Sequence, residues 1–264
     1  MADSVESSPT PGSPDPASRS SGPEADAPQS ELSFSVASGL EDVLVAWGLV
    51  YETYQRQGLI DPHEFRIHTS PQAASRNAAV ITGRLHGQTV STLTGIRDSG
   101  AGLPLDSVYR RELDALRTAG HRLTEVGLFA DRRSDFSRAV GALLGLMRFA
   151  FYYGWTGGWT EIVIGVHPHH VRFYEQVIGF EVMGPTLSYG AVRGNPVVPL
   201  CLDPDTRRRS TPLPRGLAVF LRERIEEDAF EGRCDFAPEP LAASVLPAYL
   251  EYQTGRTSGP HSTS

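Results

Sequence analysis

Between His121 and Gly184 the period of the apolar residues switches repeatedly, and this alternation limits the architecture more than any other stretch of the chain. Leu123 to Ala130 reads as a strand, Ser137 to Tyr153 as a helix and Glu161 to Val166 as a β-rich strand. Pro168 suits the first turn of a following helix, where its missing amide proton costs little, and Gly179 suits the end of that helix. Two strands complete the run: Phe180 to Tyr189, interrupted at Gly184 and Pro185, and Val192 to Leu202, disturbed at its start by Gly194, Asn195 and Pro196. Strands that alternate with amphipathic helices imply an α/β layer structure in which helices cover a sheet.

Upstream of this stretch, Leu40, Val43, Leu44, Trp47, Val50, Tyr51 and Tyr54 recur at spacings of three and four and share one helix face. Ser38 and Glu41 form a candidate capping box for that helix, and Gly58 its stop. Ala78 to Leu85 and Thr89 to Ile96 flank His86, Gly87 and Gln88 as a hairpin. Pro104 to Leu116 carries a short helical pattern that ends at Gly120. Arg215 to Glu227 and Leu241 to Tyr252 read as extra helices packed outside the core.

The 264 residues, 40% of them hydrophobic, suffice for one substantial core. The expected organisation is a Ser- and Pro-rich disordered leader (1–33), one catalytic domain (34–204), a C-terminal helical extension (205–253) and a disordered tail (254–264). Every basic side chain is arginine and the net charge is -7, which argues against a nucleic-acid-binding surface. The longest apolar stretch, Val140 to Trp155, is interrupted by Arg148, so no membrane span is expected. Cys201 and Cys234 fit neither a disulfide framework nor a zinc cluster, which favours a reducing, cytoplasmic setting. Neither has a His partner nearby in sequence to activate it as a nucleophile. His167, His169 and His170 are too closely spaced to converge on one ion, so no metal is expected.

After the strand ending at Ala130 comes an arginine-rich loop and then the helix beginning near Ser137, whose free amides suit a phosphate. The order of elements and this loop resemble the GNAT acyltransferase superfamily. That resemblance implies a mixed, mostly antiparallel sheet that splays where the Leu123 and Glu161 strands diverge. The superfamily's phosphate loop is matched here by Arg138 and Gly141, with Leu143 departing from its last position; Arg132 and Arg133 offer further positive charge.

Three segments resemble a narrower branch, the long-chain N-acyl amino acid synthases, which are related to the acyl-homoserine lactone synthases. The first is Gly102 to Tyr109 with Glu112, Leu113, Asp114, Leu116 and Arg117. The second is Arg122 to Val126. The third is His167, Pro168 and His170 to Tyr174, followed by Gly179, Phe180 and Glu181. Tyr51, Glu52 and Tyr54, and later Arg193 to Pro196, fit the same pattern.

This resemblance implies transfer of a fatty acyl group from a carrier-protein or coenzyme A thioester to the amine of an amino acid, with no permanently bound cofactor. It marks Glu125 as the base or amine-positioning group, Tyr174 as a candidate donor to the departing thiolate, and the backbone of Leu128, Phe129 and Ala130 as partners for the pantetheine amides. His167 stands where the family carries Asn and is expected to hydrogen-bond the same arm. Gly127 and Leu128 replace a Ser and a basic residue usual in the family, and Tyr174 lies five residues before Gly179, one more than the common superfamily spacing.

The chemistry agrees with Glu125, because an ammonium must lose a proton before it attacks a thioester. As the face of Leu123, Gly127 and Phe129, its surroundings are expected to be apolar and to raise its pKa. The plainer reading of Glu125 is a strand carboxylate paired with Arg97 or Arg148, and for Tyr174 core packing is the favoured reading over the thiolate-donor role. The apolar faces of the first helix and of the Val140 to Phe151 helix read by default as core, with part of that surface, near Trp47, Tyr51, Phe149 or Trp155, as the alternative lining of an acyl tunnel. An acidic carrier protein has two candidate docking sites, the Arg132, Arg133 and Arg138 group and the Arg207 to Arg209 run, although the run reads first as a solvated linker. Two other functions fit the chain: a short-chain acetyltransferase of a small amine, and a catalytically silent GNAT module that binds thioesters or a partner protein.

Overall fold

The computed structural model describes residues 32–133, 136–230 and 241–257. Its strands are β1 (Ser33–Val36), β2 (Ala78–Leu85), β3 (Gln88–Arg97), β4 (Leu123–Asp131), β5 (Glu161–Val166), β6 (Glu181–Val182), β7 (Leu187–Tyr189) and β8 (Asn195–Leu202). The helices are α1 (Leu40–Arg56), α2 (Asp106–Thr118), α3 (Phe136–Thr156), α4 (Val171–Phe173), α5 (Pro204–Arg207), α6 (Arg215–Phe220) and α7 (Leu246–Thr257). The sheet runs in the order β1, β2, β3, β4, β5, β8, β6, with β7 pairing with β8. β4 and β5 are its one parallel pair among the described strands.

Period-two alternation assigns the two faces. Along β2, Ala79 and Ile81 join the cluster under α3, with Leu146, Ala150 and Phe151, whereas Val80 joins α1 with Val43, Ala46 and Trp47. The two long helices therefore cover opposite faces of the sheet. α3 contains Gly145, whose missing side chain leaves room for the Phe34 ring of β1 to lie against the helix. No helix among the described residues is long and apolar enough to cross a membrane.

β4 and β5 pair only at Leu123 with Glu161, Thr124 with Ile162 and Glu125 with Val163. Beyond Glu125 the strands part, and the sheet opens into the expected splay. On its other side β4 carries a bulge: Thr94 faces Gly127 and Thr92 faces Ala130, so Leu128 and Phe129 stand against the single intervening residue Leu93. Leu128 takes a left-handed φ of 53° to make this bulge.

Several local expectations need correction. Ser38 does not cap α1 through Glu41; its amide and hydroxyl both donate to the Asp42 carboxylate, at 3.1 and 3.0 Å, and Gly39 with φ 97° is the N-cap. The helix expected from Pro168 is three short turns, a 3-10 turn (Pro168–His170), α4 and a π turn (Tyr174–Ile178). The helix expected over Arg215 to Glu227 stops at Phe220, because the next buried side chains, Ile225 and Phe230, follow at intervals of five that leave a helix face. The last helix begins at Leu246, just ahead of Pro247, where proline fits a first turn but not a helix interior. Ser33 belongs to β1, an edge strand hidden in sequence beside the Ser-rich leader. Cys234 and most of the leader and tail lie outside the described residues.

Candidate active site

The site is built where β4 leaves β5. Glu125 is the last β4 residue paired with β5, and its side chain is buried. Its Oε2 accepts a hydrogen bond from the backbone amide of Leu105 at 2.9 Å. Burial pushes the carboxyl up to about 8; the Leu105 amide opposes that shift, and the negative charges of Asp106 and Asp98 add to it. Neither arginine proposed as its ion-pair partner reaches it. Arg97 donates to the Tyr153 carbonyl at 2.6 and 3.1 Å and lies over the Tyr153 and Trp159 rings, while Arg148 binds the carbonyl and carboxylate of Glu223.

The loop that supplies the Leu105 amide is latched in place. Arg117 of α2 grips Asp106 with two nitrogens, at 2.7 and 2.9 Å, and also binds Asp98 and Asp114. Asp106 in turn accepts from the Leu103 amide at 2.7 Å. Burial raises the Asp106 pKa, but the Arg117 hydrogen bonds and the Leu103 amide outweigh it and hold the carboxylate below its ordinary value. Gly102 is required beside this latch: its φ is 69°, and a Cβ there would lie 2.6 Å from the Asp106 carboxylate. The first family-like segment of the sequence is thus a clamp on the group that holds Glu125.

A cleft of about 680 Å³ opens over this point, and Glu125, Leu128, Phe129, His167 and Tyr174 all line it. The bulge alters one expectation: Phe129 does not share the face of Glu125. The extra residue moves Leu128 to that face, against the α1 and α2 clusters, and sends Phe129 to the α3 side. Because β5 no longer pairs with β4 past Glu125, the backbone of Gly127 to Phe129 meets the cleft along an open strand edge.

Tyr174 begins the π turn, and the amide of Gly179 donates to its carbonyl at 2.9 Å, five residues back. The π turn absorbs the extra residue before Gly179, so Tyr174 still lines the cleft. Its ring meets Phe173 and Phe180 edge-on, and burial pushes its hydroxyl pKa well up. Burial likewise raises Tyr54 to about 12 and pushes up Tyr189, which feels the Glu125 charge and also lines the cleft. His167 caps the following 3-10 turn by accepting from the His169 amide, and the His169 ring stacks on both His167 and His170. Among the described residues no group of three or more His, Cys, Asp or Glu is placed to hold a metal.

The remaining expected site residues sit outside the cleft lining. Ala130 is buried beside Leu49 and Val50. Arg133 is held on Asp131 at 2.6 Å and donates to the Arg138 carbonyl, and Arg132 meets Glu52 at 3.5 Å. Gly141 lies one turn into α3, with open space where a Cβ would be. Trp47 and Tyr51 are core residues of α1, and Phe149 and Trp155 pack on the α3 core, so the cleft is lined elsewhere. Arg207 binds Glu181 and Arg208 binds Asp205. Cys201 donates to Glu161, whose other oxygen meets His121 at 2.9 Å; burial and that carboxylate push the thiol pKa up, away from nucleophilic use.

The comparisons with known proteins fit this geometry. A family model described as N-acyl amino acid synthase FeeM matches residues 45–203, more than half of the chain. The chain belongs to the FeeM family of N-acyl amino acid synthases. The solved structure of FeeM, an N-acyl amino acid synthase from uncultured soil microbes, is similar at 25% identity and a TM-score of 0.59, over 68% of this chain and 95% of that one. BjaI, a CoA-dependent acyl-homoserine lactone synthase solved with SAM and isopentyl-CoA, shares the fold at 14% identity and a TM-score of 0.51, over 78% and 99% of the two chains. No curated protein matches the sequence. The protein is an N-acyltransferase of GNAT type.

Two contributors to the site escaped the sequence reading. The Leu105 amide is invisible because any residue carries one, although the Asp106 and Arg117 spacing around it was part of the family resemblance. Tyr189 was placed in a strand, and nothing in that strand's pattern separated a cleft-lining tyrosine from a packed one.

Proposed function

We propose that this acyltransferase moves a fatty acyl group from a thioester, carried on an acyl carrier protein or on coenzyme A, to the α-amine of an amino acid. The observation that carries the reading is the buried Glu125 carboxyl at the floor of the cleft, beside the parting strands and held by the Leu105 amide.

The pantetheine arm lies along the open edge of β4, where Gly127 to Phe129 offer backbone groups to its amides. The acceptor arrives as an ammonium. Glu125 takes one proton from it; the free amine then attacks the thioester carbonyl, forming the C–N bond as the C–S bond breaks. The nitrogen then loses its second proton, which neutralises the departing thiolate, so the products are the amide and a free thiol, and Glu125 returns its proton to solvent. Tyr174, whose raised pKa keeps it protonated, donates a hydrogen bond to the leaving sulfur rather than acting as a base. A cleft of this size suits a chain longer than acetyl together with an acceptor.

The test supplies purified protein with long-chain acyl carrier protein and long-chain acyl-CoA in separate reactions, each with a panel of amino acids, and reads N-acyl amino acids by mass spectrometry. Product is expected with at least one donor, and Glu125→Gln is expected to lower its rate by about 10²-fold. Acetyl-CoA as the sole productive donor, or a fully active Glu125→Gln, overturns the reading.

A further inference from the structure

Most polar side chains around the cleft are satisfied within the protein. Gln253 of α7 lines it and donates to the Tyr249 hydroxyl, which also accepts from the Thr69 amide at 3.3 Å and lies 3.2 Å from His68 Nδ1. Glu125 holds the Leu105 amide, and Ser107 hydrogen-bonds Tyr189. Tyr54 and Tyr174 line the same cleft, yet their hydroxyls have no hydrogen-bond partner among the described residues. Tyr174 has the departing sulfur as its target; Tyr54 has none so far.

Tyr54 is fixed where the reacting atoms meet. It stands in the last turn of α1, packs with Leu128 against Leu49, Val50 and Ala130, and sets its ring 5.3 Å from that of His68. Leu128 is the bulge residue on the open strand edge that receives the pantetheine arm. Tyr174 feels the Tyr54 hydroxyl, and Tyr189 feels both Tyr54 and Glu125. The Tyr54 hydroxyl is thus within reach of Tyr174 on the sulfur side and of Tyr189 beside Glu125 on the amine side. Burial raises it to about 12, so near neutral pH it is a donor and not a base.

In a thioester under attack by an amine, the atom bonded to both sulfur and nitrogen is the carbonyl carbon. As the C–N bond forms, the carbonyl π pair moves onto oxygen, and it returns to carbon as the C–S bond breaks. That charge is best met by a donor already fixed in place. An unpaired phenol in a buried setting is costly, and phenylalanine would fill the same space without the cost.

On the acyl-transfer reading above, we infer that Tyr54 is a further catalytic residue, whose hydroxyl donates to the thioester carbonyl oxygen as its negative charge develops. Three side chains then divide the reaction: Glu125 serves the nitrogen, Tyr174 the sulfur and Tyr54 the oxygen.

Tyr54→Phe keeps the ring beside His68 and removes the hydroxyl. In the full-length protein kcat is expected to fall about 10²-fold, with donor KM and melting temperature little changed. Two unreactive donor analogues, made on the carrier that the wild type accepts, separate this role from packing. One is an alkyl thioether, which has no carbonyl oxygen; the other is a ketone in which a methylene replaces the sulfur. Tyr54→Phe is expected to weaken binding of the ketone and to leave the thioether unchanged, and the ratio of the two affinities does not depend on how much of the variant is folded. An equal loss for both analogues, or a wild-type kcat, overturns the role of Tyr54 alone. A wild type that acylates no amino acid overturns both it and the proposed function.

Discussion

The backbone amide of Leu105 donates to the Glu125 carboxylate across 2.9 Å, inside a site that otherwise penalises its charge. With the carboxyl pushed up to about 8, the base is mostly protonated at neutral pH and half-ionised only near pH 8, and its ionised fraction sets the rate. Acceptor kcat/KM should rise with pH up to about 8 and level off above it, and Glu125→Gln should remove that limb. A flat wild-type profile over this range would show that another group controls the proton.

The same shift affects stability. The folded protein keeps the Glu125 proton that the unfolded chain loses near the ordinary value of 4.5, so between about 4.5 and about 8 the folded state binds more protons. This contribution is fully present below 4.5 and is lost as pH rises through 8. Glu125→Gln carries no such penalty, so its melting temperature relative to wild type should climb from about pH 5 to about pH 8.5. Thermal unfolding across that range, in one buffer ionic strength, checks the sign.

Asp106 joins the latch to the base. Asp106→Ala removes the Arg117 grip and the acceptor of the Leu103 amide together, and leaves Arg117 with Asp98 and Asp114. The expected cost is about 2 kcal/mol of stability, with a loss of acyl transfer beyond what unfolding explains, because the Leu105 amide is no longer held on Glu125. Denaturant melts paired with rates measured well below the transition separate the two effects. A destabilised variant with wild-type turnover would confine Asp106 to a structural role.

Gly165 approaches the same loop from β5. A Cβ there would lie 2.7 Å from the Leu105 side chain and 2.9 Å from that of Val197. Gly165→Ala must therefore push Leu105 aside, at about 1 to 3 kcal/mol of overpacking, and with it the amide that faces Glu125. The predicted outcome is a lowered kcat and a displaced pH limb, since weakening that hydrogen bond lets burial raise the Glu125 pKa further. An alanine variant with unaltered kcat and pH profile would mean that Leu105 yields without moving its backbone.

The strand and helix order from β2 to β5 follows from apolar period, because those elements bury one face each and their spacing records it. Glu125 was recognisable as a carboxyl on an apolar strand within a family-like segment. Its partner was not, because a backbone amide leaves no trace in residue type. Nor was the bulge: a leucine at positive φ has no signature, so Phe129 was assigned to the wrong face. β1 alternates Ser and Phe over only four residues beside a Ser-rich stretch, too short for a period to stand out. The place of α7 on the cleft depends on contacts across some 180 residues, such as Tyr249 with Thr69, that local pattern cannot record.

Tyr174 tests whether the π turn serves chemistry or packing. Its ring is wedged between Phe173 and Phe180, so Tyr174→Phe preserves the apolar contact and removes the hydroxyl alone. If the hydroxyl supports the departing thiolate, melting temperature should hold while kcat falls about tenfold, and the fall should shrink for donors whose thiols have lower pKa, which need less help in leaving. If the ring is there only to fill space, neither kcat nor its dependence on the leaving group will change. Deleting Glu175 offers an independent handle. Shortening the π turn by one residue returns the segment to ordinary helical spacing before Gly179, and because Tyr174 then approaches the cleft from a different angle, kcat should fall even though every side chain lining the cleft is retained.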